Sequence, residues 1–279
     1  MKRLAVALLW LSACARPSTE PSDTVRIASV TIDSDATLWA LGEATRAQVV
    51  AVSALVDDAR YSPIVDVWPA ELPRVTGTSE SLVALRPTVA FVAEWSDPTG
   101  RSLLEQAGID VVVLSGYGGF DDYKARVRTI ARAVGAAERG EALVTAFESD
   151  VADATSSVGR GKTIISYSSG NVAAAGTTFA DEAEAAGFVN LAAREGLEGH
   201  VQVSLEQLVA WQPDVIVVPC EADCAATERA FATQPGVAAT PAAKAGLIVA
   251  LDPVLLFATG PRMVEVTRAL GVRLAEATQ

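Results

Sequence analysis

A segment of thirteen residues occurs twice in this chain, 126 positions apart, and it constrains the fold more than any other feature. The first copy, ESLVALRPTVAFV, covers residues 80–92, and the second, EQLVAWQPDVIVV, covers residues 206–218. Seven of the thirteen positions are identical between the copies. Each copy has the pattern of a short helix, a proline turn and a buried strand. The repeat therefore predicts two halves of similar plan, each presenting a glutamate at the start of its helix.

Apolar runs rich in valine and isoleucine alternate with alanine-rich segments of helical period along the rest of the chain. Because these runs are nearly continuous, they are typical of strands covered on both faces, as in parallel α/β sheets. The predicted strands cover residues 26–32, 48–52, 88–92 and 109–114 in the first half, and 162–167, 214–218 and 247–251 in the second.

A charged, alanine-rich segment at residues 121–158 separates the two sets of strands and contains no strand candidate. Its apolar residues form a helical stripe, which Gly135 and Gly140 are expected to break or bend. We therefore expect an α/β fold with an N-terminal lobe at residues 25–120, a helical connector, and a C-terminal lobe at residues 159–279.

The N-terminus has the features of a secretory signal. Two basic residues precede an apolar run at residues 4–11, which is too short for a membrane span of about 20 residues. The following LSAC resembles a bacterial lipobox, so residues 1–13 would be removed and Cys14 lipidated; an ordinary signal peptide with an incidental cysteine is the alternative. Residues 14–24 then form a tether rich in proline and serine. The predicted location is extracytoplasmic, with a lipid anchor in a membrane.

Charge and composition narrow the possible partners. The formal net charge is −12, which argues against nucleic acid because binding phosphates requires a basic face. Cys220 and Cys224 favour a local disulfide in an oxidising compartment, and a pair of metal-binding or reactive thiols is the alternative. The only histidine, His200, argues against a dedicated zinc or manganese site, although axial ligation of haem or cobalt through it stays open.

Enzyme motifs are incomplete in this sequence. The triplet at residues 161–163 lacks the first glycine of a phosphate loop and precedes a strand instead of following one. The glycines at 116 and 118 are not followed by the last glycine of a dinucleotide fingerprint, and the chain has no nucleophile elbow. We therefore predict a protein that is not an enzyme. The alternatives are an extracytoplasmic chelatase acting on tetrapyrroles and a ligand-sensing receptor subunit.

Five stretches in the same order carry a resemblance to a known family. They are RIASVTIDSDATLWALGEATRAQVVAVS at 26–53, ARYSP at 59–63, ESLVALRPTVAFV at 80–92, GTTFADEAEAAGFVNLA at 176–192 and ATGPRMVEVTRALGVRLAEA at 258–277. The mature chain resembles the substrate-binding proteins of ABC importers for ferric siderophores, haem and cobalamin. The resemblance implies a monomer of two Rossmann-like lobes with mostly parallel sheets, joined by a long connecting helix. It also implies capture of a metal chelate, with no cofactor of its own, and delivery to a permease dimer.

In the family that this chain resembles, one glutamate on each lobe docks on one permease subunit, and those residues match Glu80 and Glu206. The alternative is that both acids only suit the dipole at a helix start. One departure from the family pattern is Thr88, where the family has an acid; the second copy of the repeat keeps one at Asp214.

The ligand is expected between the lobes, at loops that follow the strands. The candidate ligand-binding residues are Thr31, Asp33, Arg60, Tyr61, Trp95 and Tyr117 in the first lobe, and Tyr167, Asn171, Arg194, Phe257 and Arg262 in the second. Trp95 would stack on a flat macrocycle or pack between lobes, and Tyr61 would contact the ligand, ligate iron, or lie on the plain surface. Arg262 would bind an anionic group or belong to a helix start. The tryptophans and Tyr61 slightly favour cobalamin, whereas the arginines suit an anionic siderophore or haem propionates.

Overall fold

The computed structural model of this protein describes residues 25–77, 80–157 and 159–277. The predicted signal peptide, the lipidation of Cys14 and the tether at residues 14–24 lie outside the described residues. Within the described residues, no helix combines the length and the apolar character needed to cross a membrane.

Two parallel sheets form the centres of two lobes. The strands are β1 Ile27–Ser29, β2 Val49–Ser53, β3 Arg74–Val75, β4 Val89–Ala93, β5 Asp110–Leu114, β6 Thr163–Ser166, β7 Asn171–Ala173, β8 Val189–Asn190, β9 His200–Gln202, β10 Val215–Pro219 and β11 Ile248–Leu251. The sheet of the N-terminal lobe has the order β3-β2-β1-β4-β5, and that of the C-terminal lobe has the order β11-β10-β6-β8. A separate antiparallel ribbon, β7-β9, belongs to the C-terminal lobe.

Helices cover these sheets. They are α1 Ile32–Ala40, α2 Glu43–Arg46, α3 Glu80–Ala84, α4 Pro98–Gln106, α5 Phe120–Ala133, α6 Ala137–Ala154, α7 Thr178–Ala185, α8 Leu191–Arg194, α9 Leu205–Ala210, α10 Cys224–Ala232, α11 Pro241–Lys244, α12 Pro253–Leu256 and α13 Met263–Ala277. The fold is therefore α/β with two lobes, as the sequence predicts.

Each long strand lies within one or two residues of its predicted position, except at the end of the first. The prediction for residues 26–32 was wrong beyond Ser29, because Thr31 begins a helix there. The Thr31 hydroxyl accepts a hydrogen bond from the Ser34 N–H at 3.1 Å and caps α1. Strands β3, β7, β8 and β9 were not predicted, because each contains a single valine and none lies within a continuous run rich in valine and isoleucine.

The two copies of the repeat occupy equivalent places in the two sheets. β4 lies between β1 and β5, and β10 lies between β6 and β11. The residue after the proline turn also accepts an equivalent backbone hydrogen bond in each copy. The Thr88 hydroxyl accepts a hydrogen bond from the Arg26 N–H at 2.9 Å, and the Asp214 carboxylate accepts one from the Thr163 N–H at 2.8 Å. Thr88 and Asp214 thus tie β4 and β10 to their central neighbours, which explains how Thr88 can replace an acid.

The segment between the lobes consists of two antiparallel helices, α5 and α6, separated at Gly135, whose φ is 71°. Ion pairs at 2.9 Å between Arg128 and Glu141 and at 3.1 Å between Lys124 and Glu148 join them side by side. α5 packs on the core of the N-terminal lobe. α6 runs from that lobe to α13 of the C-terminal lobe, and its 18 residues span about 27 Å. The long connecting helix is therefore α6 alone.

Candidate ligand-binding cleft

A cavity of about 380 Å³ lies between the two lobes. The N-terminal lobe contributes α1, the loop after β2 and one residue of α5, and the C-terminal lobe contributes α12 and the segment leading to α13. The lining residues are Ile32, Asp33, Ala36, Thr37, Ala40, Arg60, Tyr61, Pro63 and Tyr123 from the first lobe, and Pro253, Val254, Phe257, Ala258, Thr259, Gly260, Pro261 and Arg262 from the second. Mostly apolar walls with a few polar groups are typical of a small-molecule site.

Two half-exposed aromatic rings line this cavity from opposite lobes. Tyr61 is 53% exposed and Phe257 is 50% exposed. Large apolar side chains left exposed inside a cavity indicate a surface that a ligand covers.

Two arginines give the same cavity positive charge. Arg60 pairs with Asp58 at 2.6 Å and lowers the pKa of that carboxyl to about 2. Arg262 pairs with Glu265 at 3.4 Å. Both ion pairs are solvent-exposed and therefore weak, so each guanidinium can turn towards an anionic ligand.

The base of the cleft contains a buried ion pair that the sequence analysis missed. Arg126 lies on the apolar face of α5, where its Nε donates to the Asp33 carboxylate at 2.9 Å and its Nη2 to the Thr259 carbonyl at 2.6 Å. Its Nη1 donates to the Gly116 carbonyl. Burial raises the pKa of Asp33, and the nearby Arg126 only partly offsets this. The Asp33 carboxylate therefore lines the cleft but is already paired with Arg126. The sequence signal that could have revealed this ion pair is the position of Arg126 among the apolar residues of the predicted helical stripe.

The other candidates of the N-terminal lobe lie apart from this cavity. Trp95 packs against Tyr117 with the two ring planes tilted by 53° and their centroids 4.7 Å apart, and Tyr117 in turn lies under the Arg126 guanidinium at 4.1 Å. Burial raises the pKa of Tyr117 to about 12. The hydroxyl of Thr31 is engaged in capping α1. The lining of the 380 Å³ cavity does not include Trp95, Tyr117 or Thr31.

Apart from Phe257 and Arg262, the candidates of the C-terminal lobe lie in three places outside the cleft. Asn171 lines a neighbouring cavity of about 290 Å³ together with His200 and Phe257. Arg194 lies in a separate depression and pairs with Glu195 at 3.7 Å. The ring centroid of Tyr167 lies 6.0 Å from that of Phe231. The cleft therefore brings together five of the eleven predicted ligand residues, namely Asp33, Arg60, Tyr61, Phe257 and Arg262.

Glu80 and Glu206 are exposed in the first turns of α3 and α9. Each helix leads back into a parallel strand, so its N-terminus lies at the edge of the sheet where strands end and ligands bind. The Ser204 hydroxyl caps α9 and accepts from the Gln207 N–H at 3.2 Å. Hydrogen bonds from its own backbone and from Ser204 lower the pKa of Glu206. The two acids thus occupy matching positions on the two lobes.

Cys220 and Cys224 form a disulfide between β10 and α10, with their Cα atoms 5.2 Å apart. Within the described residues, no group of three or more histidine, cysteine, aspartate or glutamate side chains is arranged to hold a metal ion.

These lobes, the helix that joins them and the cleft between them define a bilobed solute-binding protein. The chain matches the family model described as periplasmic binding protein over residues 27–255, and it belongs to that extracytoplasmic family. Among curated proteins, none matches this chain closely enough to be a relative.

Solved structures of several binding proteins are similar to this chain. The periplasmic haem-binding protein RhuT from Roseiflexus sp. RS-1 is 26% identical with a TM-score of 0.71, covering 92% of this chain and 100% of that chain. A periplasmic haem-binding protein from Pseudomonas aeruginosa is 25% identical with a TM-score of 0.68, covering 89% of this chain and 92% of that chain. The vitamin B12-binding protein BtuF of Vibrio cholerae shares the fold at 20% identity and a TM-score of 0.68, covering 91% and 98%.

Proposed function

We propose that this protein captures haem outside the cytoplasm and delivers it to an ABC importer. One observation carries the proposal: Tyr61 and Phe257 line a single, mostly apolar cavity from opposite lobes, with a guanidinium beside each wall. Haem is flat and apolar on its faces, and a tyrosine oxygen is a known axial ligand of its iron. Its carboxylates suit a cavity that carries positive charge. Tyr61 is the proposed iron ligand, and Phe257 supports the opposite part of the macrocycle.

The positions of the tryptophans favour haem over cobalamin. Trp39 and Trp68 pack against each other with ring centroids 5.1 Å apart, Trp95 packs on Tyr117, and Trp211 packs on the C-terminal core. None of these four described tryptophans lines the cleft. The composition argument for cobalamin therefore loses its main support. RhuT and the Pseudomonas aeruginosa protein, which are 26% and 25% identical to this chain, are both haem-binding proteins.

The proposed role involves no reaction on the ligand. A chelatase requires a base facing the metal, and the acid in the cleft lining, Asp33, is engaged by Arg126. His200, the other candidate base, lines the neighbouring cavity and not the cleft.

Delivery would use Glu80 and Glu206 as the docking acids for the two subunits of a permease dimer. Two carboxylates at matching positions on a rigid monomer can meet arginines on two symmetric subunits together. The lipid on Cys14 would keep the protein near that membrane, with residues 14–24 as the tether.

Titration of the mature protein with hemin, cyanocobalamin, a ferric catecholate and a ferric hydroxamate tests this proposal. We expect hemin to bind one-to-one with the highest affinity and with the absorption spectrum of an iron–phenolate bond. Tyr61→Phe should lower hemin affinity by about tenfold or more and remove that spectrum. Tyr167→Phe is the matched control and should behave like the wild type. Tight binding of cyanocobalamin with no binding of hemin would refute the haem assignment.

A further inference from the structure

The cleft loop, which comprises residues 54–73 between β2 and β3, carries the three cleft residues Arg60, Tyr61 and Pro63. The whole of this loop is described, and it forms no helix or strand. Connections longer than about 15 residues without secondary structure are uncommon in compact domains. Since the cleft loop lacks the regular hydrogen bonds of a helix or sheet, other contacts must hold it in one position.

Arg74, the first residue of β3, contacts both ends of the cleft loop. Its Nε and Nη2 donate to the two oxygens of the Asp57 carboxylate at 2.8 and 3.2 Å. Its Nη1 donates to the carbonyls of Pro69 and Leu72, each at 2.7 Å. Its Nη2 also donates to the Trp68 carbonyl at 3.3 Å. These bonds, which we call the Arg74 clamp, use all five N–H donors of the guanidinium.

The chemistry of the Arg74 clamp differs from that of an ordinary surface ion pair. Both oxygens of the Asp57 carboxylate are bound, which gives the pair a defined geometry. The other three acceptors are backbone carbonyls, so the guanidinium fixes the main chain itself. A lysine has three donors on a single nitrogen and cannot reproduce this planar arrangement. The Arg74 clamp therefore requires arginine.

The clamp is attached to the ordered part of the N-terminal lobe. Arg74 pairs with Val52 of β2 in the parallel sheet. Trp68 is only 4% exposed and packs on Trp39 of α1, with ring centroids 5.1 Å apart. Because α1 also lines the cleft, the end of the cleft loop is fixed relative to the cleft wall.

A short series of turns connects the clamp to Tyr61. Asp57 precedes Asp58, whose carbonyl accepts hydrogen bonds from the N–H groups of Tyr61 at 2.9 Å and Ser62 at 2.8 Å. The Asp58 carboxylate accepts from the Arg60 N–H at 3.0 Å. The Tyr61 side chain is 53% exposed, so packing does not fix it. Its place in the cleft depends on the backbone that begins at Asp57.

We infer that Arg74 is a positioning residue that holds the cleft loop so that Tyr61 faces the ligand. Arg74 and Asp57 line a depression outside the cleft, and neither belongs to the cleft lining. Arg74 therefore acts through Tyr61 and not by touching the ligand. A loop that is ordered before binding spares the complex the cost of ordering it. The inference rests on the proposed haem function, in which Tyr61 binds the iron, and adds the residue that sets its position.

Titration of the mature protein with hemin tests whether the clamp acts through Tyr61. Arg74→Met should lower hemin affinity by about tenfold or more and weaken the iron–phenolate absorption. Asp57→Asn opens the clamp at its other end and should change both in the same direction. In the Tyr61→Phe background, adding Arg74→Met should change hemin affinity by less than about twofold, because the tyrosine that the clamp positions is absent.

Trypsin cleavage after Arg60 reports on the cleft loop without any ligand. Cleavage should be at least about threefold faster in Arg74→Met and Arg74→Lys than in the wild type, because proteolysis follows local opening. Arg128→Met is the matched control. It removes another bidentate pair, with Glu141 at 2.9 and 3.1 Å between α5 and α6, and should leave cleavage after Arg60 and hemin affinity unchanged.

Three outcomes would overturn the inference. Wild-type hemin affinity in both Arg74→Met and Asp57→Asn would show that the clamp does not position Tyr61. Losses that add in the double variant with Tyr61→Phe, together with a lower melting temperature, would assign Arg74 to the fold alone. Unchanged cleavage after Arg60 would show that Arg74 does not hold the loop.

The haem function can fail separately from the clamp. If the wild type binds no hemin, the proposed function is refuted. Faster cleavage after Arg60 in Arg74→Met would then still support the positioning of the loop by Arg74, and unchanged cleavage would refute that as well.

Discussion

The guanidinium of Arg126 lies 2.9 Å from the carboxylate of Asp33, and their side chains are only 2% and 7% exposed. The same guanidinium donates to the Thr259 carbonyl at 2.6 Å. Asp33 and Thr259 line the cleft from opposite lobes. Arg126 is therefore a positioning residue that links the two walls of the cleft from below.

Arg126→Met should strongly destabilise the protein, because it leaves the Asp33 carboxylate buried without its partner. The expected loss of unfolding free energy is about 3–5 kcal/mol, measured by urea denaturation. The double variant Asp33→Asn/Arg126→Met should recover much of that loss, since it removes the buried charge as well. A loss below about 1 kcal/mol for the single variant would mean that the pair behaves like a surface ion pair.

Asp35 should make the stability depend on pH in a defined direction. Burial raises its pKa from 3.8 to about 7, against hydrogen bonds from Ser29 and the Ser53 N–H that lower it. The folded protein therefore holds the proton more tightly than the unfolded chain, so the stability present below pH 3.8 is lost as pH rises towards 7.

Asp35→Asn removes this titration and should be progressively more stable than the wild type as pH rises. The difference in unfolding free energy should grow by up to about 4 kcal/mol across this pH range and stay constant at higher pH. Urea unfolding at several pH values measures it. A difference that does not change with pH would contradict the assigned burial of the charge.

Glu80 and Glu206 should matter for transport and not for ligand binding. Replacing both by glutamine should weaken association with the permease by about tenfold or more at low salt, with a smaller effect at high salt. Hemin affinity should stay at the wild-type value. Association can be measured with the permease in proteoliposomes, together with uptake.

Glu138→Gln is the matched control for the docking acids, because Glu138 is an exposed acid in the first turn of another helix, α6. If the control and the double variant give the same result, the docking assignment is wrong. The two glutamates would then serve only their helix starts.

The disulfide between Cys220 and Cys224 should add a modest amount of stability. It closes a loop of five residues, for which the chain-entropy estimate is about 2 kcal/mol. The variant Cys220→Ser/Cys224→Ser should lose about this much unfolding free energy in urea. A reducing agent should shift the wild type by a similar amount and leave the variant unchanged. No response of the wild type to reduction would indicate that the bond contributes nothing to stability.

Local features of the sequence determined the two-lobed α/β plan. Continuous apolar runs located the seven predicted strands within one or two residues, except at the end of β1, because a strand covered on both faces needs such a run wherever it lies in the sheet. The repeat at residues 80–92 and 206–218 identified the equivalence of β4 and β10. Gly135 marked the break between α5 and α6, since a residue with positive φ ends a helix.

Only the tertiary structure decided which side chains meet. Tyr61 lines one cleft together with Phe257 and Arg262 although it lies in the other half of the chain, whereas Trp95, an equally plausible candidate, packs on Tyr117. The partner of Arg126 is 93 residues away, and no local pattern specifies such a pair. The direction of a loop and the partner of a buried charge depend on how the lobes pack around α6. That packing is a property of the whole chain and not of any segment.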